Sequence, residues 1–490
     1  MGNVLDLVDQ TFFRLGQAAG VGQSVWVYDR PVDIDGLRRF HQHLQRGRLA
    51  RRIERSPLRF GRHRWVSPRD RHELEIATPR PREEFDAWLG EQAKSPLDAE
   101  HGPGWHLAVL PFTDGGAGVS LIVTHCLTDG IGGCLAVVEA ACGYDHTTNW
   151  PVAGSRPRWR ALREDARQTV HDIPEIRRAL KSGVAAARSV KCNRRSAGSA
   201  ASALSKAPSK APAPIAGADE LITLPTATAF LDGDEWDARA QSLGGTSNTL
   251  LAGLASRLAQ RVGRVAADGS VALAIPVNER IADDTRANAV TMVDITVDPA
   301  PATRDLREIR AATKQALIRH REVPDERRTL LPLVPLLPQR LIKRMVGVAT
   351  GGATNVVVAS NIGAAPAAAN RPDGTDADYI ALLSRYPGVT KAMMHQLGGL
   401  LVVHSARVHQ QVFVSVLAYQ PDCPNSNDEL RRDLSSALSD FSLTASTGWG
   451  CPEPASVGAV GVPTAREQID AIADQANSYD PYALAAQSTN

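Results

Sequence analysis

The stretch VTHCLTDGIGG, Val123 to Gly133, crowds an imidazole, a carboxylate and three glycines at the exit of an apolar strand. Side chains alternate along Val119–His125. Val119, Leu121, Val123 and His125 therefore share one face, while Ser120, Ile122 and Thr124 point to the other. Gly130, Gly132 and Gly133 permit a sharp turn and close backbone approach. Ile131, Leu135, Val138 and Cys142 then carry a buried stripe into a helix. His125 is thus held at a rigid junction between strand and helix. A neutral imidazole there can take a proton from a hydroxyl or amine as that group attacks an activated carbonyl. Asp129 can orient the ring, or it can hold the turn by pairing with a distant arginine. Spacing alone leaves the catalytic reading and the turn-holding reading both open.

The rest of the chain bounds what this corner serves. With 490 residues the chain exceeds one hydrophobic core, and two domains are expected. Lys and Arg number 55 against 53 Asp and Glu, a balance that recommends neither nucleic acid nor an acidic polymer as partner. The six cysteines form no C-x-x-C pair and no zinc spacing, which points to a reduced, cytoplasmic protein without a structural metal. No run of eighteen apolar residues occurs, so a spanning helix is not expected. The start, MGNVLDLVDQ, lacks a secretory pattern, and Asp6 stands where a myristoylation motif needs Ser or Thr.

Strand and helix signals alternate. SVWVYDR reads as a strand, with Asp35 capping a helix that carries Leu37, Phe40 and Leu44. GWHLAVLPF and GVSLIVTH flank TDGGAG as a hairpin. Between Arg177 and Ala218 stand nine Lys or Arg and no acid, in Ala-, Ser- and Pro-rich tracts whose later part reads as a flexible crossover. Ser247 caps a second-domain helix with Leu250, Leu254, Leu258 and Val262 on one side. Strands follow at VALAIPV, TMVDITV, TNVVVAS and the pair LLVVHSARVHQQVFVSVLAY. Ser426 and Glu429 form a capping box before a helix bearing Leu430, Leu434 and Leu438. LLPLVPLLPQRLIKRMVGV, Leu330–Val348, mixes apolar residues with Arg340, Lys343 and Arg344, and reads as a core helix or a lipid-facing one. The expected division is 1–170, an N-terminal domain; 171–218, a basic linker; 219–450, a C-terminal domain; and 451–490, a polar tail.

The segment ending in THCLTDG resembles the condensation-domain and wax ester synthase/diacylglycerol acyltransferase superfamily, which includes polyketide-associated acyltransferases. Its signature is H-H-x-x-x-D-G after a strand, matched here by His125, Asp129 and Gly130. The likeness continues in order through NTLLAGLASRLAQ, IPVNERIADDTRANAV, VVVASNIGAAP and FVSVLAY. It implies an α/β fold of two chloramphenicol acetyltransferase-like domains, each a mixed sheet with flanking helices, and a tunnel between them.

By the same resemblance, His125 is the general base and Asp129 a strut paired to Arg280, the arginine of the P-V-x-x-R segment. The Gly130 amide polarises the thioester oxygen. Ser360, Asn361 and Asn288 stand at substrate-binding positions. Thr124 replaces the first histidine, Ala287 stands where glycine precedes Asn288, and Ala364-Ala365-Pro366 loosens the S-N-x-x-G-P match. Cys126, pointing away from His125, is expected to be packing. The implied activity is transfer of an acyl group, of fatty type, from acyl-CoA to an alcohol, with no acyl-enzyme and no bound cofactor. The alternatives are condensation from an acyl carrier protein and a catalytically silent lipid-binding scaffold. Peripheral contact with a lipid surface is a further expected partnership.

Overall fold

The hairpin arm Val119–Val123 sits in the middle of a sheet, and the chain is organised around it. The computed structural model describes residues 2–68, 72–144, 149–201, 217–281, 284–323, 326–339, 341–342 and 356–449, with the backbone only for 184–201 and 326–327. The strands are β1 (Val21–Tyr28), β2 (Arg52–Glu54), β3 (Arg64–Val66), β4 (Glu75–Ile76), β5 (Trp105–Pro111), β6 (Ala117–Thr124), β7 (Thr226–Asp232), β8 (Val271–Asn278), β9 (Val290–Val297), β10 (Val357–Ala365), β11 (Tyr379–Arg385), β12 (Leu400–Val408), β13 (Gln411–Tyr419) and β14 (Ala445–Thr447). The helices are α1 (Leu7–Leu15), α2 (Ile34–Leu44), α3 (Phe85–Gln92), α4 (Gly130–Ala141), α5 (Arg158–Ala201), α6 (Gly233–Ser242), α7 (Ser247–Arg261), α8 (Arg307–Glu322), α9 (Glu326–Leu330), α10 (Lys391–Leu397) and α11 (Asn427–Asp440).

Two mixed sheets result, so the α/β class holds. A five-stranded sheet runs β11-β1-β6-β5-β4, and a seven-stranded one runs β14-β7-β13-β12-β10-β8-β9. All of β6 is buried, as its largely apolar writing demands, and its Ser120 hydroxyl accepts from buried Gln23. Val119, Leu121 and Val123 pack with Leu37 and Phe40 of α2 and Leu135 and Val138 of α4. In the second sheet, Leu401 and Val403 share a core with Leu250 and Leu254 of α7 and Leu434 and Leu438 of α11.

The sheets do not follow the order of the chain. Strand β11, far along the second segment, completes the first sheet by pairing antiparallel with β1, from Val21↔Arg385 to Val27↔Tyr379. The basic stretch expected as a linker is helical to Ala201, in continuation of α5. Ala, Arg and Lys are strong helix formers, and their propensity prevails over Pro174 within the helix. Residues 202–216 and the tail 451–490 lie outside the described residues. Of Leu330–Val348, the part from Leu331 to Leu336 is a 3₁₀ turn, because Pro332 and Pro335 withhold the amides an α-helix needs, and most of the rest is not described. Two caps differ from expectation by position. Asp33, not Asp35, starts α2, accepting from the Asp35 amide. Thr246, not Ser247, starts α7 in a reciprocal box with Thr249.

Candidate functional site

His125 follows β6 directly, and its amide lies 3.4 Å from the Gly20 carbonyl. The ring stacks on Phe12 of α1, with centroids 5.3 Å apart and planes 20° from parallel. Its Nδ1 is buried without a hydrogen-bond partner among the described residues. Burial lowers the imidazole pKa from its ordinary value, opposed by the charge of Asp129, the Asn288 side chain and the Thr128 backbone. The ring is therefore neutral at pH 7 and able to accept a proton.

Asp129 serves two elements at once. One oxygen, Oδ1, caps α4 by accepting from the Gly132 amide at 2.7 Å. The other, Oδ2, accepts from Arg280 Nη2 at 3.0 Å and from the Ala289 amide at 2.7 Å. Arg280 also donates to the carbonyls of Arg286 and Ala287. Both side chains of this pair are buried, so the carboxylate ties the end of β8 and the start of β9 to the strand-helix corner. Space is scarce there: a Cβ at Gly132 would come within 2.5 Å of Thr128 Oγ1 and 2.9 Å of Arg280 Nη2.

Asn288 looks inward to the corner. Its Nδ2 donates to the His125 carbonyl at 3.0 Å and to Asp9 Oδ1 at 3.2 Å. Asp9, on α1, also accepts from the amides of Ala287 and Asn288. Burial pushes its carboxyl up to about 6, against the opposing pull of Arg51 and those hydrogen bonds. Arg51 donates to the carbonyls of Leu127 and Thr285. Asp9, Arg51 and Phe12 were not singled out in the sequence. A lone acid, arginine or phenylalanine there has no pattern that separates it from ordinary helix and loop residues.

Gly130 opens α4, and as the first helical residue its amide has no intrahelical carbonyl to bond. A Cβ built there would sit 3.8 Å from Ile362 Cδ1 and from Leu382 Cδ2, so the corner faces β10 and β11. The Thr124 methyl lies 3.4 Å from the position a Gly104 Cβ would fill. Cys126 is buried, its thiol directed at the Phe12 carbonyl, and burial pushes its pKa up to about 11. It is a packed, protonated thiol rather than a nucleophile.

Ser360 and Asn361 lie on β10, in register with His404 and Ser405 of β12. Asn361 accepts from the Gly363 amide at 2.9 Å, holding a register shift in β10, and donates to Ser247 of α7 at 3.3 Å. The cavity beside Asn361 measures only ≈ 20 Å³. His404 is the second histidine of the site. Its Nε2 lies 2.7 Å from Ser384 Oγ of β11, and its Nδ1 is buried without a partner among the described residues. Burial, then repulsion from His125, lowers its pKa to about 4, which places the two rings within electrostatic reach. Leu382 and Ser384 alternate onto the half-buried face of β11. His125, Gly130, Ser360, Ile362, Leu382, Ser384 and His404 are all only partly buried, although they stand where strands of the two sheets approach each other. Among the described residues no group of His, Cys, Asp and Glu is arranged to hold a metal ion. No described helix is long and apolar enough to cross a membrane.

No family model matches this chain, and no curated protein matches it in sequence. Solved structures do match in shape. The first condensation domain of the CDA synthetase superposes with a TM-score of 0.52 at 13% identity, over 91% of this chain and 98% of that one. A wax ester synthase/diacylglycerol acyltransferase from Marinobacter aquaeolei VT8 superposes with a TM-score of 0.51 at 16% identity, over 90% and 98%. The same CDA domain in complex with a substrate analogue covers 97% of each chain at a TM-score of 0.51 and 14% identity. The chain thus has the two-lobed, condensation-type acyltransferase fold shared by condensation domains and the wax ester synthase/diacylglycerol acyltransferase enzymes.

Proposed function

We propose that this chain is an O-acyltransferase that moves an acyl group, of fatty type, from acyl-CoA to an alcohol and releases an ester. The observation that carries this reading is His125: neutral by burial, its ring stacked on Phe12 and its carbonyl held by Asn288, and partly open where the two lobes meet. With Nδ1 turned inward, Nε2 is the nitrogen offered to a reactant. It takes the alcohol proton as the oxygen attacks the thioester carbonyl. The carbon–sulfur bond then breaks, and the departing thiolate takes the proton back from the imidazolium. The Gly130 amide, which has no acceptor within α4, steadies the oxyanion of the tetrahedral intermediate in this reading. Asp129, Arg280 and Asn288 act through the corner they hold. Ser360 and Asn361 support the donor side. No acyl-enzyme is involved.

Condensation from a carrier-protein thioester is the second reading, favoured by the equal likeness to condensation domains. The full chain is to be assayed for thiol release with a panel of acyl-CoA and carrier-bound thioesters and alcohols. Turnover with CoA esters that vanishes in His125→Ala, with the melting temperature kept, supports the first reading. Turnover only with carrier-bound donors replaces it by the second. Ligand binding without turnover from either donor class identifies a silent scaffold, a reading motivated by Thr124.

A further inference from the structure

Helix α5 stands apart from the candidate site, and one of its faces is not explained by packing. At 100° per residue, Trp159, Leu162, Val170, Ile173 and Leu180 fall within an arc of about 80°. All five are exposed: Trp159 to 66%, Val170 to 64% and Leu180 to 51%. The core-facing side of the helix is elsewhere, marked by the buried residues Ala161, Asp165 and Ala179. A row of large apolar side chains held in solvent over some six turns is an interaction face rather than a random scatter.

Charge indicates what it meets. Of the four acids of this helix, three are consumed by contacts near its base, Glu164 by Arg156 and Arg160, Asp165 by Arg64 and Arg156, and Asp172 by Arg62, while the fourth, Glu175, is exposed on the side opposite the apolar arc. Arg163, Arg167, Arg177 and Lys181 are exposed, stand within or beside the apolar arc, and take no part in those bridges. The sequence carries the same helix onward with Arg188, Lys191, Arg194 and Arg195 and no acid. A second copy of the chain would cover the apolar stripe but would bring these cations against like charge. Anionic headgroups above an acyl layer satisfy both features together.

We propose that α5 is an interfacial helix that lays its Trp159–Leu180 stripe on an anionic lipid surface, with Arg163, Arg167, Arg177 and Lys181 against the headgroup phosphates. The docking is independent of the reaction assigned above. It is tested by co-sedimentation of the full chain with vesicles of mixed phosphatidylcholine and phosphatidylglycerol, and with vesicles of phosphatidylcholine alone. Binding is expected to the mixed vesicles, to fall with salt, and to be about 10-fold or more weaker on phosphatidylcholine. Trp159→Ser with Leu162→Ser should reduce it about 10-fold. Arg163→Glu with Arg167→Glu and Lys181→Glu should abolish it, since each cation near such a surface contributes about 5-fold. The melting temperature should hold, because every changed position is exposed. Absence of binding by the parent chain overturns the proposal, as does binding that neither set of substitutions alters. A parent dimer that the serine substitutions dissociate, without vesicle binding, identifies the stripe as a self-association face instead.

Discussion

A base that works by accepting a proton is useful only while unprotonated, and for His125 burial widens that range. Its lowered pKa places the acid limb of kcat/KM below pH 6.5, with a flat profile through neutrality. A limb centred above 7 in a pH–rate measurement would contradict the assignment. Buried histidines also shape stability. His41, His63 and His404 are each held at about 4 by burial when folded, against an unfolded value near 6.5. Between those values the native state binds fewer protons than the unfolded one, so stability is complete above pH 6.5 and is lost as pH falls towards 4. Asp9, raised to about 6, works in the opposite direction and favours the acid side of its range. His404→Asn should therefore flatten the acid fall, by up to about 3 kcal/mol between pH 7 and 4, in melting curves taken across that span. At this scale His125, Asp129 and Gly130 were legible because a motif at one strand exit names them. His404 and Ser384 were not, since each is a single polar residue in an ordinary strand, and they come towards His125 only because β11 pairs with β1 while meeting β12 of the other sheet.

Among elements, the α4 N-terminus is the most sensitive joint. Its capping carboxylate is also the ion-pair partner of Arg280, so a fault in one function disturbs the other. Arg280→Ala leaves a buried, half-satisfied charge and should cost about 3–5 kcal/mol of stability in denaturant titration. Gly132→Ala should be damaging despite the good helix propensity of alanine, because its methyl meets Thr128, Arg280 and Asp129 within 3.1 Å. A melting temperature equal to the parent's in Gly132→Ala would show that the corner relaxes freely. Helices and strands were read correctly wherever periodicity was strong, as in β6, β12, β13 and α11. The cap positions slipped by one or two residues in α2 and α7, because capping types flank the true start on both sides, Asp33 and Asp35 in one and Thr246 and Ser247 in the other, and only backbone geometry selects one. The basic stretch after Arg177 is helical to Ala201, since low apolar content does not prevent Ala, Arg and Lys from propagating a helix already begun, and its later Pro-rich part, read as a crossover, lies outside the described residues.

Across the whole molecule, the two lobes are joined by more than the chain between them. Asp9 and Asp129 clamp the segment 287–289 from two sides, and β11 is built into the first sheet. On another side Trp449 is buried against Phe85 and Phe230, and its indole donates to Asp86 Oδ1 at 2.8 Å. Arg431 of α11 pairs with the same carboxylate. Trp449→Ala should cost about 3–5 kcal/mol, and in calorimetry should separate the single transition into two as the lobes uncouple. A single, unshifted transition would mean that the tryptophan does not join them.

The sequence by itself determined the two-part α/β plan, the apolar strand ending in His125, and the identity of the residues at the corner. Those depend on local periodicity and on a short motif, both written in neighbouring positions. Only the tertiary structure decided that β11 crosses into the first sheet, that Asp9 and Arg51 hold the corner, that His404 shares the site, and that the stripe on α5 faces solvent. Each of these is a relation between residues far apart in the chain, fixed by strand pairing and by which surfaces packing leaves uncovered.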